Sequence, residues 1–196
     1  MPKIGMESIR RQQLIDATIE TVAEVGLKAT TIQLISKKAG MSSGIISHYF
    51  GGKQALIEAS VRYLLSRLKM EETPATPYER LHKIVELNFS AVQQSKDSTR
   101  TWLSFWGQSM HDPALGRLQE VNKRRLVANL RHSFKQLLSP AVAYEAAEMT
   151  AALIDGFWLR CALSGVGSAK FMEAKRFCQK YIDDVLRLHG VDVDGV

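Results

Sequence analysis

Aromatic residues and one carboxylate are the side chains of this 196-residue sequence best suited to hold a small ligand. Trp102 and Trp106 are four residues apart, so a helix through them projects both rings from one face. Phe105 lies between them, and Asp155 and Trp158 are three residues apart further along the chain. If the two helix faces meet, they form an aromatic box with a single negative charge. Such a box binds a quaternary ammonium ion through cation–π contacts worth roughly 0.5–2 kcal/mol each.

The same residues also fit an ordinary hydrophobic core, because aromatic residues at helical spacing usually pack inside a protein. Asp155 can then pair with Arg160 or with a helix terminus, since an unpaired buried carboxylate is costly. The residues alone leave the cation site and the core as alternatives.

A second segment, near the N-terminus, has side chains suited to contact nucleic acid. In a helix over Ser43–Phe50, Ile46 and Phe50 face the helices behind, which turns small or polar residues outward. Hydroxyl and imidazole groups hydrogen-bond to bases and phosphates, and an isoleucine contacts the thymine methyl group. The outward residues are Ser43, Gly44, Ile45, Ser47 and His48.

Helices position both sets of residues. Three short N-terminal helices are expected over Ser8–Val25, Thr31–Ala39 and Ser43–Phe50, each followed by a glycine or a glycine-containing turn. Thr31 is a good N-cap for the second, and Ser42 or Ser43 can cap the third. Two short helices joined by a tight turn are typical of a helix-turn-helix motif, whose second helix enters the DNA major groove.

Longer helices follow, and strand signals are scarce. The sequence predicts an all-α fold of about nine helices, with a DNA-binding three-helix unit in residues 1–53 (helix-turn-helix at about 31–50) and a larger ligand-binding domain in residues 54–196. The longer helices are predicted over Lys53–Met70, Tyr78–Gln94, Asp97–Met110, Pro113–Leu138, Ser139–Ser164 and Ala169–His189.

The charge distribution favours a nucleic-acid partner for the N-terminal unit. The chain has 26 Lys and Arg against 20 Asp and Glu, a net charge of +6. Arg10 and Arg11 open the first helix, where cations oppose the helix dipole, which suggests an external phosphate partner. Lys53 opens the fourth helix, whose first backbone amides can also contact phosphate. The alternative is a small helical bundle with a solvated basic face.

The sequence gives no support to several other classes of protein. The two cysteines, Cys161 and Cys178, are too far apart for a CxxC motif and too few for a disulfide framework. The most apolar stretch, Met149–Val166, is interrupted by Asp155 and Arg160, so it is predicted to be a buried helix. With no apolar signal segment at the start, the sequence predicts a soluble, cytoplasmic protein that does not bind membranes.

Catalytic and cofactor motifs are also missing from the sequence. The five histidines form no HExxH pattern, and no metal-spaced cysteine cluster, phosphate-binding glycine loop or GxSxG motif occurs. The prediction is that the protein is not an enzyme and has no metal or cofactor.

The N-terminal residues resemble the signature of the TetR family of repressors. The residues that carry the resemblance are Thr30-Thr31-Ile32, Ile35, Ala39-Gly40-Met41-Ser42, Gly44-Ile45-Ile46, Tyr49-Phe50, Lys53 and Leu56. The sequence departs from the family pattern at Ser47, where a tyrosine is usual, and at Tyr49, where a histidine is common. The resemblance implies phosphate contacts from Tyr49 and Lys53, with Ser43, Gly44 and Ser47 facing bases. The full set of expected DNA contacts is Arg10, Arg11, Thr31, Ser42, Ser43, Gly44, Ile45, Ser47, His48, Tyr49 and Lys53.

Further segments are similar to the choline-responsive repressors of that family. They are Met1–Arg11, Gly44–Phe50, Trp102–Met110 and Ala152–Ser164. The resemblance implies a homodimer through the last two helices, bound to double-stranded operator DNA and modulated by choline or a related quaternary ammonium. It also implies control of genes for choline uptake and for oxidation of choline to glycine betaine. The alternatives are a repressor of an efflux or other metabolic operon that responds to a different cationic ligand, and a DNA-binding protein without a ligand.

Overall fold

The computed structural model describes residues 6–72, 74–165 and 168–193. Of the segment Met1–Arg11, which carries part of the family resemblance, residues 1–5 lie outside the described residues. Within the described residues the chain forms ten helices and no strand, which confirms the all-α prediction. The helices are α1 (Met6–Ala29), α2 (Ile32–Ala39), α3 (Gly44–Phe50), α4 (Lys53–Ser66), α5 (Pro77–Asn88), α6 (Ala91–Gln94), α7 (Lys96–Ser109), α8 (Pro113–Phe134), α9 (Pro140–Leu163) and α10 (Ser168–Leu188).

Three helices differ from the prediction by more than two residues. Helix α4 ends at Ser66 instead of Met70 and α8 ends at Phe134 instead of Leu138, because turns replace the expected last helical turn of each. The helix expected over Tyr78–Gln94 divides into α5 and the single turn α6, because Phe89 leaves the helical conformation at φ −107° and ψ 27°.

Gly26, which follows the predicted end of the first helix, has the non-helical angles φ 77° and ψ 161°, so α1 is regular up to Val25 and a short helical segment to Ala29 follows the kink. Thr30 holds the segment after the kink by donating its hydroxyl to the Gly26 carbonyl at 2.8 Å.

The backbone groups into two compact units. The first unit comprises Met1–Arg67 and Ser95–Gln119, and the second comprises Leu68–Gln94 and Glu120–Val196. This grouping assigns α7 to the same unit as the N-terminal helices. The sequence analysis divided the chain by function, into a DNA-binding domain up to residue 53 and a ligand-binding domain after it. The grouping of the backbone does not test this functional division, which stays a prediction.

The core of the first unit joins the three N-terminal helices to α4. Its fully buried members include Leu14, Ile35, Ile46 and Leu56, one from each helix. Burying each such side chain stabilises the unit by roughly 1.5–3 kcal/mol. Two side chains of α7 are bound to the backbone of α1. Thr101 donates to the Ile19 carbonyl at 3.1 Å, and Arg100 donates to the Ala23 carbonyl at 3.3 Å.

In the second unit, α9 and α10 pack against each other and α10 packs against α5. The alanines of α9 at positions 143, 147 and 151 are buried, and their small side chains allow neighbouring helices to approach closely. Asp183 of α10 accepts hydrogen bonds from two residues of α5, the Tyr78 hydroxyl at 3.1 Å and His82 Nε2 at 2.8 Å. These polar contacts fix the register between α5 and α10.

Candidate functional site

Helices α2 and α3 and the turn between them form the predicted helix-turn-helix. Thr31 caps α2 by accepting a hydrogen bond from the Leu34 N–H at 3.2 Å. Gly40 ends α2 at φ 64° and ψ 34°, in the left-handed region, and the next N–H, from Met41, bonds to the Ser36 carbonyl at 2.9 Å. An L side chain at Gly40 would cost roughly 1–2 kcal/mol in this conformation, so glycine sets the direction in which the chain enters α3.

Of the two serines predicted as alternative caps of α3, Ser43 does not act as one. Ser43 stands at the N-cap position but its side chain makes no capping hydrogen bond. Its Oγ lies 3.2 Å from Ser36 Oγ instead, and the first turn of α3 is closed by the backbone bond from Ile45 N–H to the Ser42 carbonyl. Ser43 therefore joins α3 to α2.

An open groove of about 550 Å³ lies on the helix-turn-helix and the first turn of α4. Its lining residues are Thr31, Ile32, Gln33, Ser43, Gly44, Ser47 and Lys53. Five of the eleven expected DNA contacts therefore lie on one surface. Gln33 was missed by the sequence reasoning, although it is exposed and its amide is of the type that reads base edges. Its position in the first turn of α2, two residues after the Thr31 cap, could have indicated that it lies beside the expected DNA contacts.

The other residues of α3 are more mixed in their exposure. His48 is exposed, as expected for a DNA contact, and Ile46 is fully buried. Ile45 and Tyr49, in contrast, are half-buried and pack against the core around Ile46. Their packing follows from the short length of α3, whose seven residues must anchor the helix as well as present a surface. Less of the Ile45 side chain is thus available to a thymine methyl than the sequence suggested.

Arg11 is bound within the first unit. Its guanidinium lies 4.5 Å from the centre of the Phe50 ring and donates to the Tyr49 carbonyl. It also lies 3.7 Å from a Glu7 carboxylate oxygen. These contacts attach the C-terminal end of α3 to α1, which gives Arg11 a structural role beside the predicted phosphate contact.

Lys53, at the start of α4, also makes a structural contact beside its predicted phosphate contact. Its Nζ donates to the Thr30 carbonyl at 3.0 Å, and an ammonium has two further protons to offer. Gly52 precedes it without a side chain to cap α4, so the first amides of this 14-residue helix have no side-chain acceptor. Amides at a helix N-terminus attract phosphate through hydrogen bonds and the helix dipole. Together with Ser42, which is exposed, and Arg10, which is half-buried, these residues complete the expected DNA surface.

Three of the five expected ligand residues lie together in the first unit. Trp102 is 4% exposed and Phe105 0%, so both belong to the core, whereas Trp106 is half-buried. The ring centres of Trp102 and Trp106 are 6.2 Å apart and those of Trp102 and Phe105 are 5.6 Å apart, the latter edge to face. The predicted shared face of the two tryptophans is thus present.

The other two expected ligand residues lie on α9 in the second unit. Trp158 is buried, with its ring edge-on to that of Phe171 at 6.2 Å. Crowding by protein atoms raises the pKa of Asp155 to about 6, while Lys123 acts to lower it. Because the residue remains exposed to water, this shift reflects crowding around the carboxyl rather than a closed, dry site. No ion pair joins Asp155 to Arg160 in the part of the chain that the structure describes. The complete aromatic box stays a prediction, since its members are divided between the two units.

Features typical of metal binding and of membrane insertion do not occur in the described part of the chain. No group of three or more metal-ligating side chains is present among residues 6–72, 74–165 and 168–193. None of the helices over these same ranges is long and apolar enough to cross a membrane. Cys161 and Cys178 are free and buried, and desolvation raises the pKa of Cys178 to about 12, which keeps it as an unreactive thiol.

Comparison with known proteins gives two family matches along the chain. Residues 14–60 match the family described as bacterial regulatory proteins, tetR family, and residues 77–187 match the BetI-type transcriptional repressor, C-terminal. The protein named HTH-type transcriptional regulator BetI 2 of Chromohalobacter salexigens is 46% identical over all of this chain and 97% of its own length. The regulator named BetI of Burkholderia thailandensis is 47% identical over 95% of this chain and 98% of its own length. The regulator named BetI of Proteus mirabilis is also 47% identical, over 96% of this chain and 97% of its own length.

Solved structures show the same fold. A transcriptional regulator from Pseudomonas aeruginosa superposes with a TM-score of 0.75 at 26% identity, covering 92% of this chain and 91% of its own. A regulator from Saccharomonospora viridis, solved in complex with choline, superposes with a TM-score of 0.71 at 23% identity, covering 90% of this chain and 96% of its own.

A helix-turn-helix unit followed by a helical C-terminal region defines a class of DNA-binding transcriptional regulators. The chain belongs to the TetR family, as a repressor whose C-terminal region is of the BetI type. This membership confirms the family expected from the sequence, and it confirms that the protein is a transcriptional regulator and not an enzyme.

Proposed function

We propose that this repressor acts in the cytoplasm as a homodimer that responds to choline and controls genes for choline uptake and for oxidation of choline to glycine betaine. The observation that carries the proposal is the BetI-type match over residues 77–187. We assign the effector response to the C-terminal region, so the match there bears on the ligand, whereas the match over residues 14–60 bears on DNA.

The chemistry of the expected ligand residues supports a quaternary ammonium. Such a cation has no N–H group to donate, so it is held by ring faces and by negative charge. Trp106 is half-buried beside Trp102, and Asp155 supplies a carboxylate on α9. The Saccharomonospora viridis regulator, a protein of the same fold, was solved in complex with choline, which further supports this class of ligand.

Exposed apolar side chains on the last two helices support the homodimer. Large exposed apolar residues gathered on one pair of helices are typical of a protein–protein interface. Six of the thirteen exposed residues of this kind in the described part of the chain belong to α9 and α10: Tyr144, Met149, Leu163, Met172, Phe177 and Leu188. We expect Leu163→Glu, at a side chain 68% exposed, to weaken the dimer in analytical ultracentrifugation, and Met110→Glu, at a side chain 80% exposed outside these helices, to leave it intact. A monomeric wild-type protein at micromolar concentration would contradict the dimer.

Regulation by choline requires that the effector binds the free repressor and the DNA-bound repressor with different affinity. A ligand with equal affinity for both states shifts no equilibrium. We expect choline to change the operator affinity by about 5–150-fold, the usual range of allosteric coupling. Equal choline affinity with and without the operator would refute this mechanism.

The first experiment is a choline titration followed by tryptophan fluorescence and calorimetry, with the uncharged isostere 3,3-dimethylbutanol as a control. All three tryptophans of the chain belong to the predicted box, so the probe is already at the site. A saturable change with choline but not with the isostere supports the proposal. Asp155→Asn is expected to weaken choline binding, whereas Glu145→Gln, which removes an exposed charge from the same helix, should not.

The titration also separates the alternatives. Binding of a different organic cation in place of choline would point to a repressor of another operon. Flat fluorescence and calorimetry with every cation tried would leave a DNA-binding regulator without this effector.

A further inference from the structure

A cavity within the second unit has a chemical character opposite to that of the aromatic box. It has a volume of about 280 Å³, near the lower end of the roughly 300–1,000 Å³ typical of small-ligand sites, and lies between residues 68–70, α5 and α8. Its polar lining consists of Lys69, Arg80, Arg125, Asn88, Asn122 and Asn129. Among the described lining residues there is no aspartate or glutamate to balance the three cationic groups.

Arg80 lines this cavity, and Asn129, another lining residue, holds its guanidinium. Its Nη2 donates to Asn129 Oδ1 at 3.3 Å, whereas its Nε is buried and has no partner in the described part of the chain. No carboxylate of the described residues pairs with this guanidinium, so its positive charge is not neutralised at the cavity.

Arg125 differs from the arginine beside it on the same helix. Arg124 is paired with Glu120, with its Nε 2.6 Å from a carboxylate oxygen, and faces a different groove. Arg125 is half-buried at the cavity, and the described residues provide it with no carboxylate partner. The two neighbouring arginines therefore lie on different sides of α8. The charge of Arg124 is neutralised by Glu120, whereas Arg125 has no carboxylate partner among the described residues and can bind a ligand.

We propose that this cavity binds a small oxyanion, the carboxylate or phosphate group of a metabolite. A guanidinium presents two parallel N–H groups that match two oxygens of a carboxylate or phosphate. Asparagine amides donate to the remaining oxygens, and Ile84 and Leu126 supply an aliphatic wall for the carbon part of the ligand. The proposal goes beyond the function proposed above, because the ligand carries the opposite charge and the cavity contains none of the five expected choline residues.

The test is calorimetric titration of the full-length protein, free of DNA, with inorganic phosphate and separately with propionate, at an ionic strength held constant with sodium chloride. We expect saturable binding of at least one of them. Arg125→Gln and Lys69→Gln should each weaken it about tenfold or more, which corresponds to about 1.4 kcal/mol per tenfold change. Arg124→Gln is the matched control, since it removes the same charge one residue away and should leave the affinity unchanged.

The outcomes are distinct. Binding of phosphate alone assigns a phosphorylated ligand, and binding of propionate alone assigns a carboxylate. The absence of saturable binding for both anions overturns the proposal. Equal weakening by Arg124→Gln and Arg125→Gln also overturns it, because diffuse attraction to a basic surface explains that result. Circular dichroism verifies that each variant is folded, and an unaltered choline response in Arg125→Gln would separate this cavity from the proposed choline site.

Discussion

The DNA surface and the expected effector site are assembled in different ways. The groove on the helix-turn-helix takes all its residues from positions 31–53, within one compact unit. The expected effector residues are divided, with Trp102, Phe105 and Trp106 in the first unit and Asp155 and Trp158 in the second. A surface built from consecutive helices can be recognised from a local motif, whereas a site that draws on distant helices depends on how the whole chain packs. Four measurements test this contrast.

The largest effect is expected at the core beneath the DNA surface. Ile46→Ala removes three carbons from a fully buried position, which should lower the free energy of unfolding by about 2–4 kcal/mol. Ile9→Ala is the control, because Ile9 is 53% exposed and its loss should cost less than about 0.5 kcal/mol. Urea denaturation followed by circular dichroism measures both. Similar losses in the two variants would mean that α3 is not anchored through Ile46.

The effector site should respond to pH through Asp155. Its pKa is raised to about 6, so its negative charge is present above that pH and is lost as the pH falls through it. Choline affinity should therefore be constant between about pH 7 and 8 and about tenfold lower near pH 5, or about 1.4 kcal/mol weaker. Asp155→Asn should remove this dependence, and Glu145→Gln should keep it. A wild-type affinity that does not change with pH would exclude Asp155 from the site.

A smaller effect is expected at the start of α2. Thr31→Ala removes the hydroxyl that caps Leu34, with a loss of stability of about 1 kcal/mol. Thr31→Ser keeps the hydroxyl and should stay within a few tenths of the wild-type value. Thermal denaturation compares the three proteins, and an unchanged midpoint for Thr31→Ala would show that α2 does not depend on this cap.

Substitution of Lys53 is expected to change the stability of the protein least. Its main effect is expected on DNA binding. Lys53→Gln should lower the slope of log affinity against log salt by about 0.9, the contribution of one phosphate contact. The control is Lys28→Gln, at an exposed lysine outside the expected contact set, which should leave the slope unchanged. If Lys53→Gln keeps the wild-type slope, its ammonium serves only to bind the Thr30 carbonyl.

Much of the first unit could be predicted because its signals are local. The Thr31 cap, the Gly40 turn and the inward position of Ile46 depend on the geometry of a single helix or turn, and each is confirmed. The exceptions involve contacts across helices. Ser43 bonds to Ser36 instead of capping α3, and Arg11 contacts Tyr49 and Phe50, because these partners come together only after the helices pack.

Periodicity, caps and turns act between residues that are near each other along the chain, so they predict most of the helices and the helix-turn-helix, and the signature residues predict the family. The packing of the helices adds what these patterns do not show: α7 packs on α1, Ile45 and Tyr49 are half-buried, and Arg80 and Arg125 line one cavity. Burial and pairing are set by atoms distant in sequence. The pattern of one helix shows which of its faces is apolar, but not which other helix covers that face.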